Sequence, residues 1–198
     1  VEGVRLLDVD PGQATNRTVI TFVGEPGPVI EAAFRLMKKA QELIDMRGHK
    51  GEHPRFGATD VCPLVPISGI TMDEVVPFAK KLAERVGNEL GIPVYRYEFA
   101  ASEEKRRNLA NNRAGEYEGL SKKLVDPAWK PDHGPAAFTE SVARSGAVAI
   151  GARKLLVAYN VNLNTTSTRR ANAIAFDIRE AGRVLRDGDP LTGKPILD

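Results

Sequence analysis

Thr71-Met-Asp-Glu-Val-Val-Pro-Phe-Ala-Lys-Lys-Leu-Ala-Glu-Arg-Val-Gly-Asn-Glu-Leu90, then Gly91-Ile92 and Pro93-Val-Tyr-Arg-Tyr-Glu-Phe99, is the stretch that decides the fold. Thr71 and Glu74 have the spacing of a capping box, in which the hydroxyl and the carboxylate serve the first free amides of a helix. That helix is predicted to run to about Leu90 and to end at Gly91, and residues 93–99 alternate like a strand. The handover from helix to strand recurs on both sides of this stretch.

Upstream, Leu6, Leu7 and Val9 form a strand-like run ending at the turn signal Asp10-Pro11-Gly12, and Thr18 to Val23 reads as a second strand. Apolar residues at Val29, Ile30, Ala33, Phe34, Met37, Ala40, Leu43 and Ile44 give a helix face across Pro26 to Met46. Residues 47–60 have no periodicity and read as a loop before a strand at 61–67. Downstream, Ser102 is positioned to cap a polar helix to about Asn111, and a short helix follows near 115–124. Residues 125–146 carry Pro127, Pro131, Gly134, Pro135 and Gly146, too many breakers for regular structure over most of their length. Lys154 to Val161 reads as the most apolar strand, Thr165 to Ala181 as a final amphipathic helix, and Gly182 to Asp198 as a polar, mobile end. The order of elements predicts an α+β fold, a ferredoxin-like α/β sandwich with a mixed β-sheet covered by helices. A doubly wound dinucleotide fold is the rival, and no Gly-x-Gly-x-x-Gly follows a strand to support it.

Bulk properties narrow the class. The 198 residues are 42% hydrophobic, enough for one compact domain with a short appendage. Twenty-eight basic against 26 acidic residues leave a net charge of +2 without blocks of one sign, so no nucleic-acid partner is implied. No apolar run approaches the roughly 20 residues of a membrane span, and no signal peptide opens the chain. A soluble cytoplasmic protein is expected, and the opening Val1 points to a chain that begins inside a longer gene product. The single Cys62 sits in an apolar run and reads as a buried small hydrophobe rather than a reactive thiol.

The 47–60 loop carries the chemistry. His49-Lys50-Gly51-Glu52-His53 matches the H-x-x-E-H pattern of inverted zinc peptidases, but both histidines need one helix to share a zinc. Gly48, Gly51 and Pro54 argue against that helix. Two merely solvated histidines are the plain alternative. His53 is the stronger candidate of the pair: Pro54 holds its backbone extended, and charges of both signs flank it at Glu52 and Arg55. Histidine exchanges a proton near neutral pH, which suits an acid/base role. Asp8 and Asp10 share one strand face, with turn capping by Asp10 set against contact with a substrate. Arg17 and Arg55 are candidates to hold carboxylates with paired hydrogen bonds, though exposed arginines more commonly form surface ion pairs. His133 lies in the second candidate loop, residues 125–146, where a surface turn residue is the commoner reading.

Several words in register carry a resemblance: 6–12, 15–19, 43–47, His49-Lys-Gly-Glu-His-Pro-Arg55, Gly57-Ala-Thr-Asp-Val-Cys-Pro63, 113–118, Pro131-Asp-His-Gly-Pro135 and 151–160. Together they span almost the whole chain and resemble the N-terminal subdomain of the glutamate formiminotransferases. The resemblance implies transfer of a formimino group between N-formimino-L-glutamate and tetrahydrofolate, in histidine degradation and one-carbon metabolism. Tetrahydrofolate would be a co-substrate, with no metal. It implies His53 as the acid/base residue. It further implies folate contacts along Gly134, Pro135, Ala136, Ala137 and Phe138 onward to about Gly146, with Asp10 as a second contact. Arg17 and Arg55 would clamp substrate carboxylates. The expected division is 1–150 as the subdomain lacking its first strand, 151–181 as its last strand and helix, and 182–198 as linker or start of a C-terminal subdomain. The family's opening Val-Pro-Asn-Phe-Ser-Glu-Gly word would precede Val1, and residues 139–145 are longer and more polar than its pattern. Alternatives are a non-catalytic folate-binding paralogue and a glutamate formyltransferase. Expected partners are the small-molecule substrates, with no nucleic acid or membrane, and a homodimer is the one assembly left open.

Overall fold

The computed structural model describes residues 1–157, 161–178, 186–188 and 194–195, and divides into two units, Val1–Leu155 and Leu156–Asp198. In the first, β1 (Val4–Gly12) and β2 (Arg17–Gly24) form an antiparallel hairpin, and α1 (Pro26–Leu43) follows. Next come β3 (Val61–Leu64), α2 (Met72–Arg85) and β4 (Val94–Glu98). Four short helices, α3 (Glu104–Arg107), α4 (Leu109–Arg113), α5 (Leu120–Val125) and α6 (Glu140–Ser145), lead to β5 (Val148–Ala152).

β3, β5 and β4 make a parallel sheet in that order, with β5 in the centre. Alternate residues of the sheet point to opposite faces, and both faces are covered. Val94, Val148 and Ile150 pack with Phe34, Met37 and Leu82 of α1 and α2. Tyr95, one residue on, packs instead with Phe56, Leu120, Leu124 and Val142. This is the α+β sandwich expected. Its strands are shared between a parallel three-stranded sheet and a separate antiparallel hairpin.

The capping box is formed as the sequence dictates: Thr71 Oγ1 accepts from the Glu74 amide at 3.3 Å, and Glu74 accepts from the Thr71 amide at 2.8 Å. α2 continues through a π-helical turn, Val86–Leu90, and ends on Gly91 at φ 63°, in the left-handed region that glycine adopts at least cost.

Four expectations are corrected. Pairing of the hairpin continues through Asp10, Pro11 and Gly12 to Arg17, so its turn is residues 13–16, with Asn16 at φ 47°. The polar helix expected after Ser102 starts at Glu104 and breaks at Asn108, whose Oδ1 caps α4 through the Ala110 amide at 2.9 Å. The strand expected at 61–67 stops at Leu64, whereas residues 125–146 are irregular over most of their length as expected, with α6 inside them, its first turn capped by Thr139. The last strand of the first unit is β5, while residues 154–157, expected to be strand, are not, and 158–160 lie outside the described residues.

In the second unit, α7 (Thr168–Ile178) is the final helix expected, and residues 179–181 lie outside the described residues. β6 (Arg186–Asp187) pairs antiparallel with β7 (Lys194–Pro195), and the rest of the closing segment, apart from Gly188, lies outside the described residues. No described helix is long and apolar enough to cross a membrane.

One buried cation fixes the wall beneath the 55–57 segment. Lys123 Nζ donates to the carbonyls of Asn111, Asn112 and Ala114 at 3.0, 2.7 and 3.2 Å and sits 4.3 Å from the Trp129 ring centroid. Methionine fills the same volume without a donor, so Lys123→Met leaves three carbonyls without their shared donor, the Asn112 carbonyl in the interior. We expect urea unfolding to register a loss of about 1–3 kcal/mol.

Candidate functional site

The loop between α1 and β3 is fastened to the hairpin turn at several points. Asn16 Nδ2 donates to Lys50 O at 2.8 Å, and the Glu52 amide donates to Ala14 O at 3.0 Å. The two backbones touch at Gly51, where an added Cβ would stand 2.2 Å from Thr15 O. Only glycine permits that approach. The contact carries Arg17, first residue of β2, onto His53: Arg17 Nη1 lies 2.6 Å from His53 Nε2, and His53 Nδ1 lies 2.5 Å from Pro54 O.

A guanidinium only donates and a carbonyl only accepts. One neutral tautomer satisfies both contacts, with the proton on Nδ1 and the lone pair on Nε2. His49 has the opposite arrangement. Its Nε2 donates to Asn16 O at 2.8 Å, and its Nδ1 is buried without a hydrogen-bond partner. Residues 49–53 form no helix, so the i, i+4 geometry a zinc peptidase needs is missing.

Behind His53 lies a carboxylate that the sequence reading passed over. Asp60 immediately precedes β3, where its backbone carbonyl accepts from Ala149 N at 3.1 Å. Arg113 Nη2 donates to Asp60 Oδ2 at 2.5 Å, both side chains being largely buried, and Asp60 Oδ1 is left without a partner. Burial pushes the Asp60 carboxyl above the usual range, against the opposing pull of Arg113, His53 and Arg17. Both residues fall inside words quoted above for the resemblance. Their signal was a charged residue abutting an apolar strand and an arginine on a short helix, neither of which announces a pairing 53 positions apart in sequence.

The structure joins the second loop to the first. Arg55 pairs with Glu118 and lies 5.5 Å from the Tyr117 ring centroid, whose amide donates to Arg55 O at 2.9 Å. Tyr117 in turn faces Phe138, ring centroids 6.3 Å apart, and its hydroxyl donates to Ala143 O at 2.5 Å. Gly57 and Gly146 bridge as one antiparallel pair, and the Ala58 amide donates to Ser145 O at 2.8 Å. Phe138 and Gly146 are thus beside the His53 loop. Gly134, at φ 81°, packs its Cα against Ile92 O, while Pro135 and Ala136 are half-buried and Ala137 exposed between these anchors.

Asp10 is exposed on β1 opposite Val19. The register puts Asp8, Asp10, Val19 and Arg17 on one face of the hairpin, so the carboxylate shares a face with the guanidinium that reaches His53. His133 is half-buried, its carbonyl accepting from Val94 N at 2.9 Å. Cys62 packs against the first core, and burial pushes its thiol up to about 12, far from a nucleophile's range.

Among the described residues no three His, Cys, Asp or Glu side chains are grouped as metal ligands. A depression of about 340 Å³ opens elsewhere, at the end of β4, rimmed by Glu98, Glu103 and Glu104 with Arg107. No histidine lines it, so it lacks the acid/base imidazole that the His53 loop presents.

Residues 1–153 match the formiminotransferase domain, N-terminal subdomain. A formimidoyltransferase-cyclodeaminase of Gallus gallus is 55% identical over 91% of this chain and 33% of its own length. Glutamate formimidoyltransferases of Streptococcus pyogenes serotype M1 and Thermoplasma acidophilum are 48% and 47% identical, over 92% and 90% of this chain and 60% and 58% of theirs. The chain thus spans between a third and three fifths of these relatives.

Proposed function

Because the chain belongs to the formiminotransferase family, matching its N-terminal subdomain, we propose that it supplies the acid/base half of a glutamate formimidoyltransferase. The reaction is transfer of a formimino group from N-formimino-L-glutamate to N5 of tetrahydrofolate. The names of the relatives favour a formimidoyl over a formyl donor. In this reading the protein is a cytoplasmic enzyme of histidine degradation and one-carbon metabolism, and residues 182–198 lead toward a second subdomain.

The observation that carries the reading is the His53 tautomer, with Nδ1 tied to Pro54 O and the Nε2 lone pair turned toward Arg17. As N5 attacks the amidine carbon it must lose a proton, which Nε2 accepts. The tetrahedral adduct collapses when its bond to the glutamate nitrogen breaks, and Nε2 returns the proton to that nitrogen as it leaves. One imidazole therefore serves both steps. Arg17, Arg55 and the Asp10 face supply polar anchors for the substrates. Phe138 beside Tyr117 offers aromatic surface of the kind a pteridine stacks on. Gly134, Pro135, Ala136, Ala137 and Gly146 complete the proposed folate-contacting stretch.

Protein expressed from the full reading frame should release glutamate from N-formimino-L-glutamate only when tetrahydrofolate is present. Release without tetrahydrofolate, or no release at all, overturns the reading. The Gly51 contact gives a second check. Gly51→Ala drives a methyl into Thr15 O and pushes the His53 loop off the hairpin. A displacement of that size should cut kcat/KM about ten- to a hundredfold. Unfolding free energy should fall by no more than about 1–3 kcal/mol.

A further inference from the structure

Arg17 is an arginine without an acid. Its guanidinium is exposed, forms no ion pair among the described residues, and is spent on the neutral nitrogen of His53 at 2.6 Å. Its backbone is fixed by the strand pair with Gly12 and by the turn-to-loop hydrogen bonds at Asn16 and Glu52, so only the side chain is free to choose a partner. A carboxylate offers a guanidinium two parallel charge-assisted hydrogen bonds, while an imidazole offers one lone pair. Any carboxylate delivered within reach therefore wins the guanidinium from the ring. Neither protein carboxylate beside it holds the guanidinium. Asp60 is committed to Arg113, and Asp10, diagonal to Arg17 on the same face of the hairpin, makes no ion pair with it.

We infer that Arg17 is a substrate-displaced cap on the base. In the free protein it blocks the Nε2 lone pair of His53 and fixes the Nδ1–H tautomer, and a carboxylate of the incoming amino-acid substrate draws it away, so that the lone pair is exposed only when substrate is bound. The inference rests on the reading of His53 as the base and deepens it. Arg17 acts through another residue and is a positioning group. The arrangement keeps the imidazole from reacting with adventitious electrophiles while the site is empty. It also couples recognition of the substrate's charge to readiness for proton transfer.

Two measurements on protein from the full reading frame test this. The first is carbethoxylation of His53 by diethylpyrocarbonate, followed by peptide mass spectrometry without ligand. A hydrogen bond from a charged donor must break before the lone pair can attack, so Arg17→Ala should speed the modification roughly ten- to a hundredfold, and Arg17→Lys, which retains a cationic donor, should stay near the wild-type rate. The second is ¹⁵N NMR of histidine-labelled protein. Wild type should show the Nδ1–H tautomer with Nε2 accepting a hydrogen bond. Saturating L-glutamate should move the Nε2 resonance to where it lies in Arg17→Ala, whose own Nε2 resonance glutamate leaves in place.

Equal modification rates in wild type and Arg17→Ala, or an Nε2–H tautomer in the wild type, overturn the cap while leaving His53 free to be the base. An Nε2 resonance that stays put in the wild type while calorimetry registers glutamate binding overturns the displacement. No glutamate binding at all overturns the substrate reading and the displacement with it, and the ligand-free comparison then decides the cap by itself.

Discussion

Replacing His53 with alanine is expected to lower kcat for tetrahydrofolate-dependent glutamate release at least a hundredfold, and by as much as about ten-thousandfold, the range that a positioned general acid/base supplies. The loss should appear in kcat rather than in KM. The imidazole is proposed to act on protons in flight, and neither substrate depends on it for its charge contacts. Folding should be nearly indifferent, since His53 is half-exposed and its two hydrogen bonds are to an exposed arginine and its own neighbour's carbonyl. Circular dichroism and the thermal midpoint therefore control for misfolding. His49→Ala is the matched comparison. Its ring donates to Asn16 O, and its other nitrogen is buried, so its loss should loosen the loop without removing a base. Wild-type turnover in His53→Ala would remove the imidazole from the mechanism.

What the sequence disclosed and what it concealed follow from different physics. The helix at α2 was legible because its signals are local: a cap, a paired glutamate three residues on, and a glycine at the stop. The central strand was not. β5 is Val-Ala-Ile-Gly-Ala, all five residues buried, and small side chains carry little strand preference by themselves. They are small because the sheet is crowded there: a Cβ on Gly151 would stand 2.5 Å from Tyr97 O. Leu155, Leu156 and Val157 drew the strand assignment to themselves by hydropathy and yet are exposed. The Asp10-Pro11-Gly12 turn signal failed for a related reason. Pairing with Thr18 and Arg17 across the ladder outweighed the local preference. At the site, glycines and a proline mark the His53 loop as irregular from the sequence alone. Asp60 and Arg113 remained hidden because burial, which gives their pairing its meaning, is a property of the fold.

The largest stability effect is expected at Asp132, the residue that holds the start of the second loop. Its Oδ2 accepts from the Arg96 amide at 2.8 Å and from Arg106 Nη1 at 2.9 Å, and Arg106 Nη2 donates to Lys130 O at 2.7 Å. Both side chains of the Asp132–Arg106 pair are 5% exposed. Asp132→Ala removes the buried counter-charge of Arg106, which keeps only a 3.4 Å contact to the half-exposed Glu103, and takes the acid from Arg96 as well; losing one member of a buried pair costs about 3–5 kcal/mol. Urea unfolding should report it, and the double variant Asp132→Leu with Arg106→Met should recover part of it, since the buried Arg106 charge leaves with its acid while the less buried Arg96 still lacks its partner. Burial alone would raise the Asp132 carboxyl. Hydrogen bonds from Ser102 and the Arg96 amide, with the charges of Arg106 and Arg96, outweigh it and hold the carboxyl below the usual range. A carboxyl depressed in the folded state stabilises the fold above its unfolded value, about 3.9, and loses that contribution as pH falls through the folded value. The stability gap between wild type and Asp132→Ala should therefore be full at neutral pH and narrow as pH falls below about 4. Because His133 and Gly134 follow at once, KM for tetrahydrofolate should rise in the single variant while the His53-dependent step survives. A neutral single substitution, or a gap that widens in acid, would show that the pair does not anchor this loop.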